Sequence, residues 1–474
     1  VGRRRSLPRR AAVEVVTVAT PGLGDRSYLV HDGQVGLVID PQRDIDRMLG
    51  AAEAAGVRIA AVAETHLHND YVSGGLELSR QLGVAYLVAA AEQVGYDREP
   101  VAGGDVRQFG SLQVQVLATP GHTAHHVSYL VSGGGRQGLF SGGSLLYGTV
   151  GRTDLAGAAA TESLTRAQYR SARTLAQLPG ATELWPTHGF GSFCSSARSS
   201  GAAASSIAAE RAGNLALTID DEDTFVARLR EGLTAYPRYY AQMGPINRAG
   251  PRALDLRPPP VLEPGELAAL LASPGWVVDL APRRVYAGGH LRGSVAIELG
   301  NSLATYVGWI VPWGTPIVLV GDTPEQVAEA QRALARIGFD RLRGMAAGPR
   351  QALAAGTPLA SYPVSDFAGL AEARRAGAAP LVLDVRRDDE RSLGAIEGSL
   401  HLPLPDLLAG LDTLPAGEVW VHCATGFRAS IAASLLSRAG RDVVLIDDEW
   451  PRAAPAGLRV EAPASRVPAG RAGR

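Results

Sequence analysis

The stretch Glu64-Thr65-His66-Leu67-His68-Asn69-Asp70-Tyr71 follows an apolar run at 59–63 and places two imidazoles and a carboxylate at alternate positions. Side chains of an extended segment alternate between its two sides, so His66, His68 and Asp70 project together from one strand-to-loop junction. Such a junction aims several ligands at one metal ion. Two more junctions repeat the arrangement. Gly121-His122-Thr123 follows the strand-like run at 112–118, and Pro186-Thr187-His188-Gly189 follows the run at 182–185. Four histidines at three strand ends predict a metal site with His66, His68, His122 and His188 as its ligands. His125, His126 and Cys194 read as structural residues.

Around these junctions, from residue 13 to about 185, the chain is rich in short β runs such as Ser27-Tyr28-Leu29-Val30, 35–39 and 127–131. Apolar residues recurring at three and four positions predict helices over 45–55, 75–81 and 163–177, punctuated by Gly83 and Pro179-Gly180. The pattern is that of an α/β sandwich. Between 236 and 263 the composition turns to Pro, Arg and Tyr and ends in Arg257-Pro258-Pro259-Pro260, which is linker chemistry. Beyond it, two segments of roughly 100 residues share an order of features, the mark of an internal repeat. Each has a strand with Asp at its end, a Gly-rich turn, a second strand and a helix. Alternating strand and helix predicts parallel sheets. The expected layout is a disordered basic tail at 1–11, the sandwich domain at 12–235, a linker at 236–263, α/β domains at 264–358 and 359–459, and a disordered tail at 460–474.

Composition narrows the function classes. A formal net charge of −1 with 46% apolar residues suits a globular protein and gives no reason to expect nucleic acid or a membrane surface as partner. No apolar run approaches the roughly 20 residues that span a bilayer. The triplet Arg3-Arg4-Arg5 is loosely similar to a twin-arginine signal, but Glu14 and the strand-like alternation after it make it read as a tail. Two cysteines, Cys194 and Cys423, build no disulfide framework, so a cytoplasmic location is the default expectation.

Cys423-Ala424-Thr425-Gly426-Phe427-Arg428 sits between the strand-like 419–422 and a helix predicted over 429–438. A cysteine in a tight loop at a helix N-terminus meets inward-pointing N–H groups, which favour a thiolate or persulfide anion, and Arg428 adds a positive charge. The equivalent loop of the first repeat copy, Gly321-Asp322-Thr323-Pro324, has no cysteine.

The histidine set with Asp70 resembles the metallo-β-lactamase fold over residues 13–205. So do Gly24-Asp25-Arg26-Ser27-Tyr28-Leu29-Val30, Val38-Ile39-Asp40-Pro41, Ser73-Gly74-Gly75 and Thr119-Pro120-Gly121-His122-Thr123. Gly151-Arg152-Thr153-Asp154 and the downstream repeat are most similar to its persulfide dioxygenase branch, which includes fusions to rhodanese domains. The cysteine loop, with Asp384-Val385-Arg386 and residues 394–404, resembles the rhodanese sulfurtransferase site, and the first repeat copy resembles a rhodanese homology domain of structural or docking type. The resemblance implies an αββα sandwich followed by two rhodanese-like domains. It implies a persulfide dioxygenase-sulfurtransferase that uses Fe(2+), dioxygen and a small thiol persulfide.

In that reading Cys423 carries sulfane sulfur with Arg428 beside it, Asp70 is catalytic, and Arg152, Tyr71, Thr425 and Gly426 contact substrate. Five positions depart from the family patterns. Tyr71 stands where the metallo-β-lactamase fold has a further histidine, and Gly143 where it has a carboxylate. Ala395 replaces a histidine, and Asp447-Asp448 replace a glycine pair, of the rhodanese pattern. In the dioxygenases the missing carboxylate completes an iron site whose histidines are matched by His66 and His122; Asp70 and Asp154 are the candidate substitutes. A mononuclear site follows. Zn(2+) on His66, His68 and His122 is the alternative, implying a hydrolase similar to glyoxalase II. A degenerate scaffold beside a working rhodanese is a third reading. The state of self-association stays open.

Overall fold

On the strand Leu112–Ala118, Leu112, Val114 and Val116 are buried and Gln113 and Gln115 exposed, the period of two that a half-buried strand requires. The same alternation builds two facing sheets in the computed structural model, which describes residues 13–196, 201–273, 275–356 and 358–461. The first sheet runs, in spatial and chain order, β1 (Glu14–Thr20), β2 (Asp25–His31), β3 (Val35–Ile39), β4 (Arg58–Ala63), β5 (Ala85–Ala89) and β6 (Glu99–Val101). β1 to β3 pair antiparallel and β3 to β6 parallel. The second sheet holds β7 (Val106–Phe109), β8 (Leu112–Ala118), β9 (Val127–Gly133), β10 (Arg136–Gly142), β11 (Glu183–Pro186) and β12 (Ser205–Ser206).

Tyr28, Val30, Leu37, Ile39, Ala61 and Leu87 from the first sheet meet Leu112, Val114, Val116, Tyr129 and Phe140 from the second in one buried cluster. Each large side chain buried there contributes about 1.5–3 kcal/mol. Helices α1 (Asp46–Ala55) and α2 (Gly75–Leu82) cover the outer face of the first sheet. Helix α3 (Ala158–Leu175), with Glu222–Gly232 and shorter helices, covers the second. This is the expected αββα sandwich. α1 and α2 stop at Gly56 and Gly83, both left-handed. α3 starts before the predicted 163, because alanines at 158–160 favour helix.

The described chain divides into two compact units. One extends through Leu256 and includes Arg332–Asp340; the other holds Arg257–Gln331 and the chain from Arg341 onward. The stretch expected to be linker at 236–263 contains a helix, Tyr240–Ala249, which belongs to the first unit. Its Asn247 amide donates to the carbonyls of His68 (2.8 Å) and Tyr71 (2.9 Å) and accepts from the Ser73 N–H (2.9 Å). Tyr239 donates to the Asp70 carbonyl at 2.8 Å. Prolines and arginines hid a segment that satisfies the backbone of the metal-site loop.

In the second unit both repeat copies are parallel sheets. The first has the order β14 (Val295–Ala296), β13 (Trp276–Asp279), β15 (Ile317–Gly321) and β16 (Leu342–Ala347). The second has the order β17 (Val364–Ser365), β22 (Val443–Ile446), β21 (Val419–His422), β18 (Leu381–Asp384) and β20 (Leu400–His401). β19 (Ala395–Ile396) pairs with β23 (Val460–Glu461), two residues expected to open the C-terminal tail. The tails at 1–11 and 462–474 lie outside the described residues.

Candidate metal centre and cysteine loop

Strand ends deliver His66 (after β4), His122 (after β8) and His188 (after β11) to one buried pocket. The ring centroids of His66 lie 4.1, 4.8 and 5.3 Å from those of His68, His122 and His188. The structure thus brings together all four predicted ligands. Each has one ring nitrogen held from behind, which fixes its orientation. His122 Nδ1 donates to the Arg152 carbonyl at 2.7 Å, and His188 Nδ1 lies 2.8 Å from Asp25 and 3.2 Å from Asp70. His68 Nε2 faces Glu64 at 3.1 Å, Asp40 at 3.3 Å and the Tyr71 hydroxyl at 2.9 Å. His66 Nδ1 meets the Thr65 hydroxyl at 2.9 Å.

The nitrogens left over point inward. His68 Nδ1 and His122 Nε2 are buried without a hydrogen-bond partner, and the Nε2 atoms of His66 and His188 are 3.3 Å apart. Buried polar atoms without partners are costly, so they mark where an ion belongs. His66, His68 and His188, and separately His122, His188 and Cys194, offer ligand atoms within 4.8 Å of one another. The donor set fits a divalent metal.

Electrostatics divide the four histidines. Burial and the neighbouring imidazoles hold His66 well below its ordinary pKa, and burial with His188 brings His122 to about 3, so both offer neutral lone pairs. Burial opposes charge on His68 too, but Asp40 and Glu64 overcome it and raise that pKa to about 9. Asp70 and Asp25 likewise push His188 up against burial. Burial and Asp70 raise Asp25 to about 7. Asp40 accepts from the Thr65 N–H and hydroxyl, both at 2.7 Å, and from the Thr187 hydroxyl, tying the His66 loop to the His188 loop.

Several expected roles change. Tyr71 is fully buried behind His68, where it packs and hydrogen-bonds instead of meeting substrate. Arg152 is 1% exposed. Its guanidinium is consumed by Asp154 (two contacts of 2.7 Å) and the carbonyls of Phe193 and Thr234, so it anchors loops. Asp154 is occupied by the same pairing. Asp70 does reach the site, with Oδ1 buried and unpartnered. His126 is structural as expected, bonded to Thr119 and to the Gly143 N–H. Cys194, read as merely structural, lies among the ligands. Asp25, Asp40 and Glu64 were also missed as supports; the only signal was a carboxylate at a strand end or start.

Gly143 has no room for the carboxylate found in relatives of this fold, because a Cβ there would fall inside the His122 ring. Gly143→Asp is therefore expected to displace His122 and weaken metal binding instead of restoring an iron site. The overpacking costs about 1–3 kcal/mol. Thermal unfolding and metal titration check this; tighter metal binding would contradict it.

The cysteine loop joins β21 to the helix Phe427–Arg438. Gly426 has φ 87°, and a Cβ there would strike Asp447, so only glycine suits the turn. Cys423 is buried at 1% exposure. Arg428 makes a bidentate pair with Glu390 (2.5 and 2.7 Å), and the Trp450 N–H donates to the Ala424 carbonyl. Asp384 holds Arg386 through two arms, and Arg386 stacks over Trp450. Asp447 is clamped by Arg283 (2.6 Å) and Arg284 (2.5 Å) of the first repeat copy, while Tyr306 of that copy packs on Phe427.

Comparison with known proteins matches this geometry. Residues 21–188 match the metallo-beta-lactamase superfamily, and residues 368–452 the rhodanese-like domain. The N-terminal unit belongs to the metallo-β-lactamase superfamily. A hydroxyacylglutathione hydrolase of Methylobacillus flagellatus is 32% identical over 163 residues, 34% of this chain and 60% of that protein. Another from Gloeobacter violaceus is 32% identical over 158 residues, covering 32% and 57%. The chain spans less than two thirds of either relative's length. A solved metallo-beta-lactamase from Staphylococcus aureus is 27% identical with a TM-score of 0.64. That likeness covers 71% of this chain and all of the other. The metallo-β-lactamase site, with its buried histidines, is that of a metal-dependent enzyme, followed in the same chain by a rhodanese-like domain. Among the described residues no helix is long and apolar enough to cross a membrane.

Proposed function

We propose that this chain is a persulfide dioxygenase-sulfurtransferase acting on a small thiol persulfide. The observation that supports it most is the coexistence, in one chain, of a four-histidine metal pocket and a rhodanese-like cysteine loop. In the proposed reaction a persulfide, dioxygen and water give the thiol, sulfite and two protons; the terminal sulfur is oxidised and dioxygen reduced by four electrons. Ferrous iron, when bound, supplies open coordination positions for oxygen chemistry. His66 and His122 present neutral lone pairs, and Glu64 and Asp40 keep His68 turned inward. The buried walls exclude bulk water. Asp25, its carboxyl pushed up by burial and by Asp70, backs His188 and leaves its Oδ2 unpartnered.

Cys423 takes sulfane sulfur as a persulfide: its thiolate attacks the donor's terminal sulfur, and the donor's remaining sulfur leaves with the electron pair. The first repeat copy is a rhodanese-like domain without a cysteine, and its Arg283 and Arg284 steady the working loop through Asp447. We place the enzyme in the cytoplasm, with neither nucleic acid nor membrane as partner.

The similarity to hydroxyacylglutathione hydrolases favours a second reading, zinc-dependent thioester hydrolysis with Asp70 orienting the attacking water. Oxygen uptake on glutathione persulfide or bacillithiol persulfide, measured with metal content, decides between them. Iron-loaded protein is expected to consume dioxygen and release sulfite. Full metal occupancy without uptake would overturn the dioxygenase, and zinc occupancy with thioester hydrolysis would establish the hydrolase.

A further inference from the structure

We propose that Cys194 is itself a metal ligand, its thiolate replacing the carboxylate that Gly143 lacks; the inference deepens the metal-site reading above and rests on it. Imidazoles bind a divalent ion as neutral ligands, and in a pocket sealed from water such an ion is costly unless an anion joins it directly. No side chain fits at 143, where the His122 ring fills the space. Asp25 and one oxygen of Asp70 stand at His188 Nδ1, behind its ring; the other Asp70 oxygen, buried and unpartnered, is the rival anion.

Cys194 is placed differently. It groups with His122 and His188 within 4.8 Å. Because His122 Nδ1 is bound to the Arg152 carbonyl, the atom His122 offers is Nε2, which is buried and has no hydrogen-bond partner. Arg152 fixes both residues: its N–H donates to the Cys194 carbonyl at 2.8 Å while its carbonyl accepts from His122 at 2.7 Å. Gly151 also bridges to Ser195, and the Cys194 N–H donates to the Ser192 hydroxyl at 3.1 Å. The buried guanidinium of Arg152, spent on Asp154, Phe193 and Thr234, explains why this short segment keeps thiol and imidazole in register. Cys194 is a free thiol with no exposure. Sulfur and imidazole together suit ferrous iron, zinc or cobalt(II) better than magnesium or calcium. Coordination replaces the S–H bond by a sulfur–metal bond and releases one proton, with no change of oxidation state.

Cobalt(II) gives the test a readout apart from activity. With Cys423→Ser in the full chain, Cys194 is the only thiol. That protein is expected to bind about one cobalt and show a near-ultraviolet sulfur-to-cobalt charge-transfer band. Adding Cys194→Ser should abolish the band with cobalt still bound. X-ray absorption of the Cys423→Ser protein loaded with zinc should find one sulfur neighbour at about 2.3 Å. This does not depend on how the second variant folds. Cobalt bound without the band, or zinc bound without a sulfur neighbour, overturns the assignment and leaves the metal site standing. Failure to bind either ion overturns both.

Discussion

Cys423→Ser eliminates sulfurtransfer, lowering thiosulfate:cyanide activity by roughly 10³-fold or more, with the fold unchanged. A serine hydroxyl is protonated at neutral pH and does not form the persulfide that carries sulfane sulfur. The loop does not depend on the sulfur for its shape. It is set by the left-handed Gly426, by the bond from the Trp450 N–H to the Ala424 carbonyl and by the Arg428–Glu390 pair. The near-isosteric change puts a hydroxyl into this small buried volume and should cost no more than about 1–3 kcal/mol. Sulfurtransferase assay together with thermal unfolding checks both halves. Activity retained above a few per cent would remove Cys423 from the mechanism.

His122→Ala has the second large effect, at the other site. It removes a neutral imidazole whose inward Nε2 has no other partner, and it opens the wall between Gly143 and Arg152. Loss of even a supporting hydrogen-bond partner of a ligand weakens metal binding by about 10–100-fold, so loss of the ligand should exceed that. Metal content should fall from about one ion per chain to under a tenth of that, and persulfide-dependent oxygen uptake should vanish with it. Thiosulfate:cyanide transfer by Cys423 should persist. Inductively coupled plasma analysis and an oxygen electrode measure the two losses. Metal retained at full occupancy would show that His122 is not a ligand.

The sandwich, its strand-end histidines and the cysteine loop were legible because their signals are local. Alternation of Leu112, Gln113, Val114 and Gln115 declares a strand within a few residues, and Gly83 ends a helix where it stands. His66 and His68 could be placed at one junction from spacing. The roles of Tyr71 and Arg152 could not, since both depend on partners distant in sequence. Tyr71 lies under His68 because Asp40 arrives from a neighbouring strand, and Arg152 is spent on carbonyls 41 and 82 residues away.

The same distinction separates the readings that stood from those that changed. The proline-rich stretch at 236–263 read as linker, yet Asn247 reaches 179 residues back to the His68 carbonyl. Asp447 read as a departure from a glycine pair; its meaning came from Arg283 and Arg284, 164 and 163 residues earlier. Hydrophobic period, turn chemistry and ligand type are properties of neighbouring residues, so the chain declares its two kinds of domain and its two reactive sites in one dimension. Which nitrogen of each histidine is free, why a carboxylate has no room at Gly143, and that Cys194 stands among the ligands were decided only by tertiary packing. Folding brings strand ends with no sequence relation to one another around a common volume, and that volume determines which polar atoms remain to be satisfied.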